Sequence, residues 1–299
     1  MTSNRILILL EMADECPTEA ELAGFLTDPD PDVRRTALSV LSEATEDWTT
    51  ASPIFARALD DDDESVRAQA ADLLRELREV LVAGPEFAES LRRAFLRSET
   101  GVRVAAVGVL WRHRLSTVPE LDTWLSDPTP EVRCEAVLGL VSLDALEVLG
   151  RAATDADAAV RLAAARGIAA VGDPRGTATL ITLAGDPEVL VRAAALTSMS
   201  QTGCTVDAAL IAEAALAEPH WQVRQGAANA LSAADPGRAG ESLINATRDD
   251  NLDVRKAAVT ALGAWLPARP ELRAALEAAQ HDADADVRAH ARMSLHPNP

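Results

Sequence analysis

The chain has 299 residues and a formal net charge of −19, with 48% hydrophobic but only 3% aromatic residues. Such a surface repels phosphate backbones and anionic lipid heads, whose binding needs clustered Lys and Arg, and few aromatic platforms are present to stack bases. Three cysteines without a CxxC pair speak for a reducing compartment and against a disulfide framework or a zinc site. The apolar run Ile6–Leu10 is too short for a signal-peptide core or a membrane span, so the expectation is a soluble cytoplasmic protein.

The first predicted element is a short helix over 4–13, placed as a cap on the open end of the first unit. The turn Asp28-Pro29-Asp30-Pro31-Asp32-Val33-Arg34 then sets a ruler. Val-Arg recurs at Arg34, Arg67, Arg103, Arg133, Arg161, Arg192, Arg224, Arg255 and Arg288, in steps of 33, 36, 30, 28, 31, 32, 31 and 33 residues. A period in that range marks stacked helical repeats. With each Val as position zero, +4 is alanine in all nine copies, from Ala37 to Ala291, and +8 is Leu, Ile or Met. Positions 0, +4 and +8 form one helical stripe, so a helix of about four turns follows each Val-Arg. Six residues before eight of the nine arginines stands an acid, including Asp28, Asp127, Asp155, Asp186, Asp249 and Asp282; Arg97 breaks the rule in the third copy. Acids and prolines there end one helix and start the next. An earlier apolar stripe (Leu22/Phe25, Leu121/Trp124, Leu180/Leu183 and their counterparts) gives each unit a first helix. Breakers at Pro53, Gly84-Pro85, Pro119, Gly172 to Pro174, Gly203, Pro236-Gly237 and Pro267 to Pro270 separate the units. The units run about 18–46, 52–83, 85–115, 118–143, 144–171, 174–203, 205–234, 236–267 and 270–296. The predicted fold class is all-α, an α-solenoid of about nine helix–turn–helix units forming one continuous array over 1–299.

A unit with D-P-x-P-x-V-R at its turn and V-R-x-x-A-x-x-x-L after it resembles the HEAT repeat, and more closely the short variety named after phycobilisome lyases. The resemblance implies that second helices line the inner, concave face. It also implies that each turn acid and the arginine six residues later form ladders stitching repeats together: Asp28 with Arg34, Asp127 with Arg133, Asp155 with Arg161, Asp186 with Arg192, Asp249 with Arg255 and Asp282 with Arg288. Because the aspartate moves with the arginine, charge is compensated locally, which favours mortar over a basic groove for nucleic acid.

Candidate chemistry is sparse. Asp60 to Glu64 lacks the glycine and the distant bidentate Glu of a calcium loop and sits at a turn, where helix capping explains it. His113, His220, His281, His290 and His296 fall in different units without HExxH or His-Glu pairs, although HEAT-like proteins of the deoxyhypusine hydroxylase kind use such pairs for iron. HEAT-like alkylpurine DNA glycosylases use a basic groove, whereas the charge here has the opposite sign. No nucleophile motif occurs, nothing marks a chromophore site, and neither a catalytic centre nor a cofactor is expected.

What varies between copies is the far side of each second helix. Positions +2, +6 and +9, near 200°, 240° and 180° around the helix, are Val104, Gly108 and Trp111 in the third copy. They are Cys134, Leu138 and Val141 in the fourth, and Leu162, Arg166 and Ala169 in the fifth. This mid-array apolar patch has polar neighbours on both sides and reads as a partner site, with Trp111 as anchor. The functional expectation is a non-enzymatic protein-binding scaffold or adaptor, monomeric, whose acidic surface suits a protein or peptide partner with a basic surface. The alternatives are a non-catalytic or lyase-like subunit of a protein-modification or biosynthetic enzyme complex and, more remotely, a nucleic-acid-binding protein.

Overall fold

A computed structural model describes residues 2–97 and 99–296. Among them the chain forms nineteen α-helices and two short 3-10 turns, with no strand. It divides into two compact units, 1–142 and 143–299.

The first unit contains α1 (Thr2–Ala13), α2 (Glu19–Leu26), α3 (Pro31–Ala44), α4 (Trp48–Ala58), α5 (Glu64–Glu76), α6 (Pro85–Ala94), α7 (Thr100–Arg112), α8 (Val118–Trp124) and α9 (Pro130–Ser142). The second contains α10 (Leu146–Ala152), α11 (Ala158–Val171), α12 (Thr177–Leu183), α13 (Val189–Thr202), α14 (Val206–Ala215), α15 (Trp221–Leu231), α16 (Pro236–Ala246), α17 (Leu252–Trp265), α18 (Arg273–Ala279) and α19 (Ala285–Leu295). Within each unit, successive second helices stack on one another and each packs against its own first helix.

The stripe explains the packing. Every residue at 0, +4 and +8 of the nine second helices is buried, from Val33, Ala37 and Leu41 to Val287, Ala291 and Leu295. The buried alanine at +4 lets a packed helix approach closely, since a larger side chain would hold the two axes apart. Turn chemistry divides between two acids. The first, such as Asp186, accepts the backbone N–H two residues on, here that of Glu188 at 2.9 Å. In several turns an acid or amide two residues later caps the second helix: Asp30, Asp63, Asp157, Asn251 and Asp284 each accept an N–H of the first turn. This satisfies donors that no helix can satisfy internally. Gly172 closes α11 at φ +70°, a left-handed position that favours glycine.

Pro53, a unit boundary by its sequence signal, lies inside α4, which begins earlier, at Trp48, on the Asp47 cap. The cap and the Trp48–Phe55 ring contact, with centroids 6.3 Å apart, hold the helix start upstream of the proline.

Candidate functional site

The ladder is built from the guanidinium fork. Arg161 donates Nη1 to its own turn, to Asp155 O at 2.8 Å and Ala156 O at 3.0 Å. Its Nε and Nη2 reach the carboxylate of the following turn, Asp186, at 2.6 and 2.9 Å. The same fork joins Arg34 to Asp61, Arg103 to Asp127, Arg224 to Asp249 and Arg255 to Asp282. Arg34, Arg161, Arg224 and Arg255 therefore each bind the backbone of the acid six residues before them and the carboxylate of the next turn, and Arg103 does the same with Arg97 O, at 3.3 Å, in place of an acid. Arg133 donates to Asp127 O at 2.8 Å, Arg192 to Asp186 O at 2.9 Å and Arg288 to Asp282 O at 2.8 Å. Asp28 takes Arg5 of α1 at 2.6 Å, so the N-terminal helix supplies a rung of its own. Such bidentate, charge-assisted pairs combine geometric specificity with strength. Arg161 holds the Asp186 carboxyl below the ordinary carboxylate range, and Asp186 raises the Arg161 guanidinium.

Two rungs depart from the pattern. In the third copy, where Arg97 replaces the acid, Glu99 pairs with Arg67 and Arg97 turns back to Asp60, with Nε to Oδ1 at 2.7 Å. The longer glutamate, placed two residues later, covers the same guanidinium. In the seventh copy Glu218 replaces aspartate and meets Arg192 through one contact of 3.4 Å, leaving Arg192 Nε buried without a partner among the described residues.

The second helices expose a narrower and differently centred face than the 0/+4/+8 stripe implies. Positions −1, +6 and +10, near 260°, 240° and 280°, are the exposed ones in most copies, whereas +2 and +9 are half-buried in most. The reason is stacking. A second helix is covered by its own first helix and also by neighbouring second helices, which widens the buried sector toward +2 and +9. Leu138, at +6 of α9, is 41% exposed and Arg166 is exposed, while Val104, Val141 and Leu162 are half-buried. Trp111 is half-buried as well, and its groups are engaged. Its indole N–H donates to Glu135 Oε2 at 2.6 Å, and the Arg112 guanidinium lies 4.4 Å from its ring centre while donating to the same Glu135 oxygen at 3.0 Å. Val104, Trp111, Leu138 and Val141 belong to the first unit and Leu162 and Arg166 to the second, so the predicted patch divides between them.

Reactive groups are few. Burial pushes the Cys204 thiol up to about 11, the opposite of an activated nucleophile. Among the described residues no group of three or more metal-ligating side chains comes together, and no helix is long and apolar enough to cross a membrane.

Ladder, alanine-spaced stripe and stacked helix pairs together define a repeat solenoid, in which each unit buries its apolar faces against its neighbours. The sequence profile of the HEAT repeats matches residues 18–111, 146–232 and 208–296, and the chain belongs to the HEAT-repeat family. No curated protein matches it. Among solved structures it is similar to an engineered protein, with 18% identity, TM-score 0.58 and 97% of this chain against 93% of that one. It is also similar to Kap121p, with 14% identity, TM-score 0.57 and 92% of this chain. A further match is the karyopherin Kap121p bound to the SUMO protease Ulp1p, with 14% identity, TM-score 0.56 and 93% of this chain. The chain spans 36% and 37% of the length of those two Kap121p chains. At these identities the likeness is one of fold.

Proposed function

We propose that the chain is a non-enzymatic scaffold or adaptor that recognises a protein or peptide on the face lined by its second helices. One observation carries this reading. The positions that stitch and pack the repeats hardly change, whereas the outward position +6 runs Ser39, Asp72, Gly108, Leu138, Arg166, Thr197, Asn229, Thr260 and Met293. A surface that varies on a constant frame is how one fold serves different partners. Kap121p, similar in fold, has been solved bound to Ulp1p and to Pho4p, which supports partner binding as a use of such arrays. The net charge of −19 favours a partner with a basic surface and speeds its encounter. Repeat steps of 28 to 36 residues support the short variety named after phycobilisome lyases, and the cysteine pattern supports a cytoplasmic setting.

Affinity purification from the native host tests the reading, with wild type compared with Leu138→Asp on the second-helix face, Trp111→Ala beside it, and Leu96→Asp as a control. Leu96 is 83% exposed, just beyond the end of a first helix. Loss of specific partners with Leu138→Asp but not with Leu96→Asp is expected. Undiminished recovery of every partner by Leu138→Asp and Trp111→Ala, with helicity intact by circular dichroism, refutes the site.

A further inference from the structure

The helix α19 of the second unit carries a ladder arginine whose fork holds no acid among the described residues. Arg288 Nη1 donates to Asp282 O and Ala283 O, each at 2.8 Å, the same two-carbonyl seat that holds Arg161, Arg224 and Arg255. In those three, Nε and Nη2 grip an aspartate carboxylate at 2.6 to 3.0 Å. Among the described residues Arg288 Nε and Nη2 have no partner, and neither do the side chains of Arg292 and His296. The three residues stand at +1, +5 and +9, within about 80° of one another around the helix. Arg288 is half-buried, and Arg292 and His296 are exposed. Asp286, the one acid within α19, lies near 260°, away from this stripe.

Position +5 narrows the choice of occupant. It is apolar and buried in all eight preceding second helices, from Leu38 to Val259, and it is Arg292 in α19. Another Val-Arg helix stacked there, from a second copy of the chain, would bury that guanidinium, and copies with a net charge of −19 repel each other. Three cations in one stripe call instead for acids. Arg288 and Arg292 are four residues apart, as are Arg292 and His296, which puts about 6 Å between neighbouring cations. An extended chain brings every second side chain to the same side at about 6.4–6.8 Å, close to that stride. The Arg288 fork is already oriented by its two carbonyls, so closing it on a carboxylate freezes little further. Screening favours a short ligand. Beyond a Debye length of about 8–10 Å the field of the whole chain is damped, so a few carboxylates meet mainly these cations, whereas a long polyanion extends over a chain that is otherwise acidic.

We infer that α19 binds an acidic segment of a partner protein, extended along the helix, with carboxylates on alternate residues. The first carboxylate closes the Arg288 fork as Asp186 closes that of Arg161, and the next two meet Arg292 and His296. The site occupies +1, +5 and +9 of one helix, so it stands whether or not the outward positions −1, +6 and +10 form a binding face.

The test titrates the full chain, in about 0.15 M salt, into a peptide of four Asp-Ser pairs carrying an uncharged dye, and follows anisotropy. The same peptide with asparagine for aspartate, and a single-stranded oligonucleotide of equal charge, serve as comparisons. Saturable binding of the acidic peptide is expected, about tenfold or more tighter than either comparison. Arg288→Gln weakens it by about tenfold or more, as for loss of a bidentate, charge-assisted pair. Arg288→Lys, which keeps the charge and loses the fork, weakens it severalfold, and Arg292→Gln does so without touching a rung. Arg248→Gln, at an exposed arginine of the same unit, leaves it unchanged. Absence of binding at about millimolar chain, equal affinity for the asparagine peptide, or oligonucleotide binding as tight as that of the peptide overturns the inference. So does an effect of Arg248→Gln as large as that of Arg288→Gln. Full binding by both Arg288→Gln and Arg292→Gln, in protein folded by circular dichroism, overturns it as well.

Discussion

Replacing Arg161 by alanine isolates the worth of one rung. The wild-type guanidinium makes two bonds to Asp186 and two to its own turn, all between 2.6 and 3.0 Å, and the two side chains are only 13% and 5% exposed. Without Arg161, Asp186 keeps the N–H of Glu188 at 2.9 Å and loses its counter-charge, while two turn carbonyls lose a donor. A fully buried charge left unpaired costs about 3–5 kcal/mol. This one lies near the surface and retains a donor, so a loss of about 2–3 kcal/mol is expected. The comparison is Arg57→Ala, whose pair with Glu86 is 55% and 61% exposed and is worth under about 1 kcal/mol. Urea denaturation at neutral pH measures both, and hydrogen exchange places the weakened opening at the junction of the fifth and sixth repeats, because solenoid stability is a sum of local terms. The double variant Arg161→Ala with Asp186→Ala should cost clearly less than the sum of the single changes. If Arg161→Ala costs no more than Arg57→Ala, the rungs are refuted as a source of stability.

Glu218→Asp should stabilise the chain by about 1 kcal/mol, because an aspartate there restores the fork that serves the other rungs and gives the buried Arg192 Nε a partner; a lower urea midpoint refutes this. Gly139→Ala should destabilise by about 1–3 kcal/mol, since the added Cβ would overlap Leu121 and lie 3.0 Å from Trp111 Cβ; a thermal midpoint equal to wild type contradicts that packing. The acid limb follows from Asp186, which Arg161 holds low, and from Asp249 and Asp282, where burial pushes the other way but Arg224 and Arg255 outweigh it. Their folded values lie below the unfolded value of about 3.9, so this stability is fully present above about pH 4 and is lost as pH falls through the lowered values. A urea midpoint unchanged from pH 6 to pH 2 refutes it.

The ruler, the helix pairs and the core stripe were legible because sequence period and helical period are locked together: each residue at 0, +4 and +8 is buried. Glu99 was missed, although Arg97 in place of an acid flagged an irregular turn and an acid stood two residues on. Arg5 was missed too, yet it precedes Asp28 by 23 residues, close to the 24 to 27 that separate Arg103 from Asp127 and Arg34 from Asp61. Pro53 misled because proline usually marks a boundary, and Asp47 moved the helix start ahead of it. The outward face came out rotated because periodicity gives the direction of the core but not the seam where second helices stack. That rotation turned Trp111 from an anchor into a half-buried partner of Glu135 and left Leu138 exposed.

Charge on the outward positions bears on which partners the chain can take. At −1, +6 and +10 the second helices carry Asp32, Glu43, Asp72, Glu76, Glu131, Asp253 and Asp286 against Arg112 and Arg166, and Arg112 is already paired with Glu135. Arg161, Arg224 and Arg255 do not make up the difference, because their forks are occupied by carboxylates and turn carbonyls; a phosphate would have to break a rung to reach one. Counterion release needs clustered Lys and Arg, and these positions carry two arginines, one of them paired; on the proposed reading, a cationic protein surface gains from the same fields. The acids thin out over α11, α13 and α15, where Arg166 is the one charged side chain at these positions. On the proposed reading, the acidic positions supply steering charge and the variable +6 positions supply short-range specificity, with no change to the units that hold the array together.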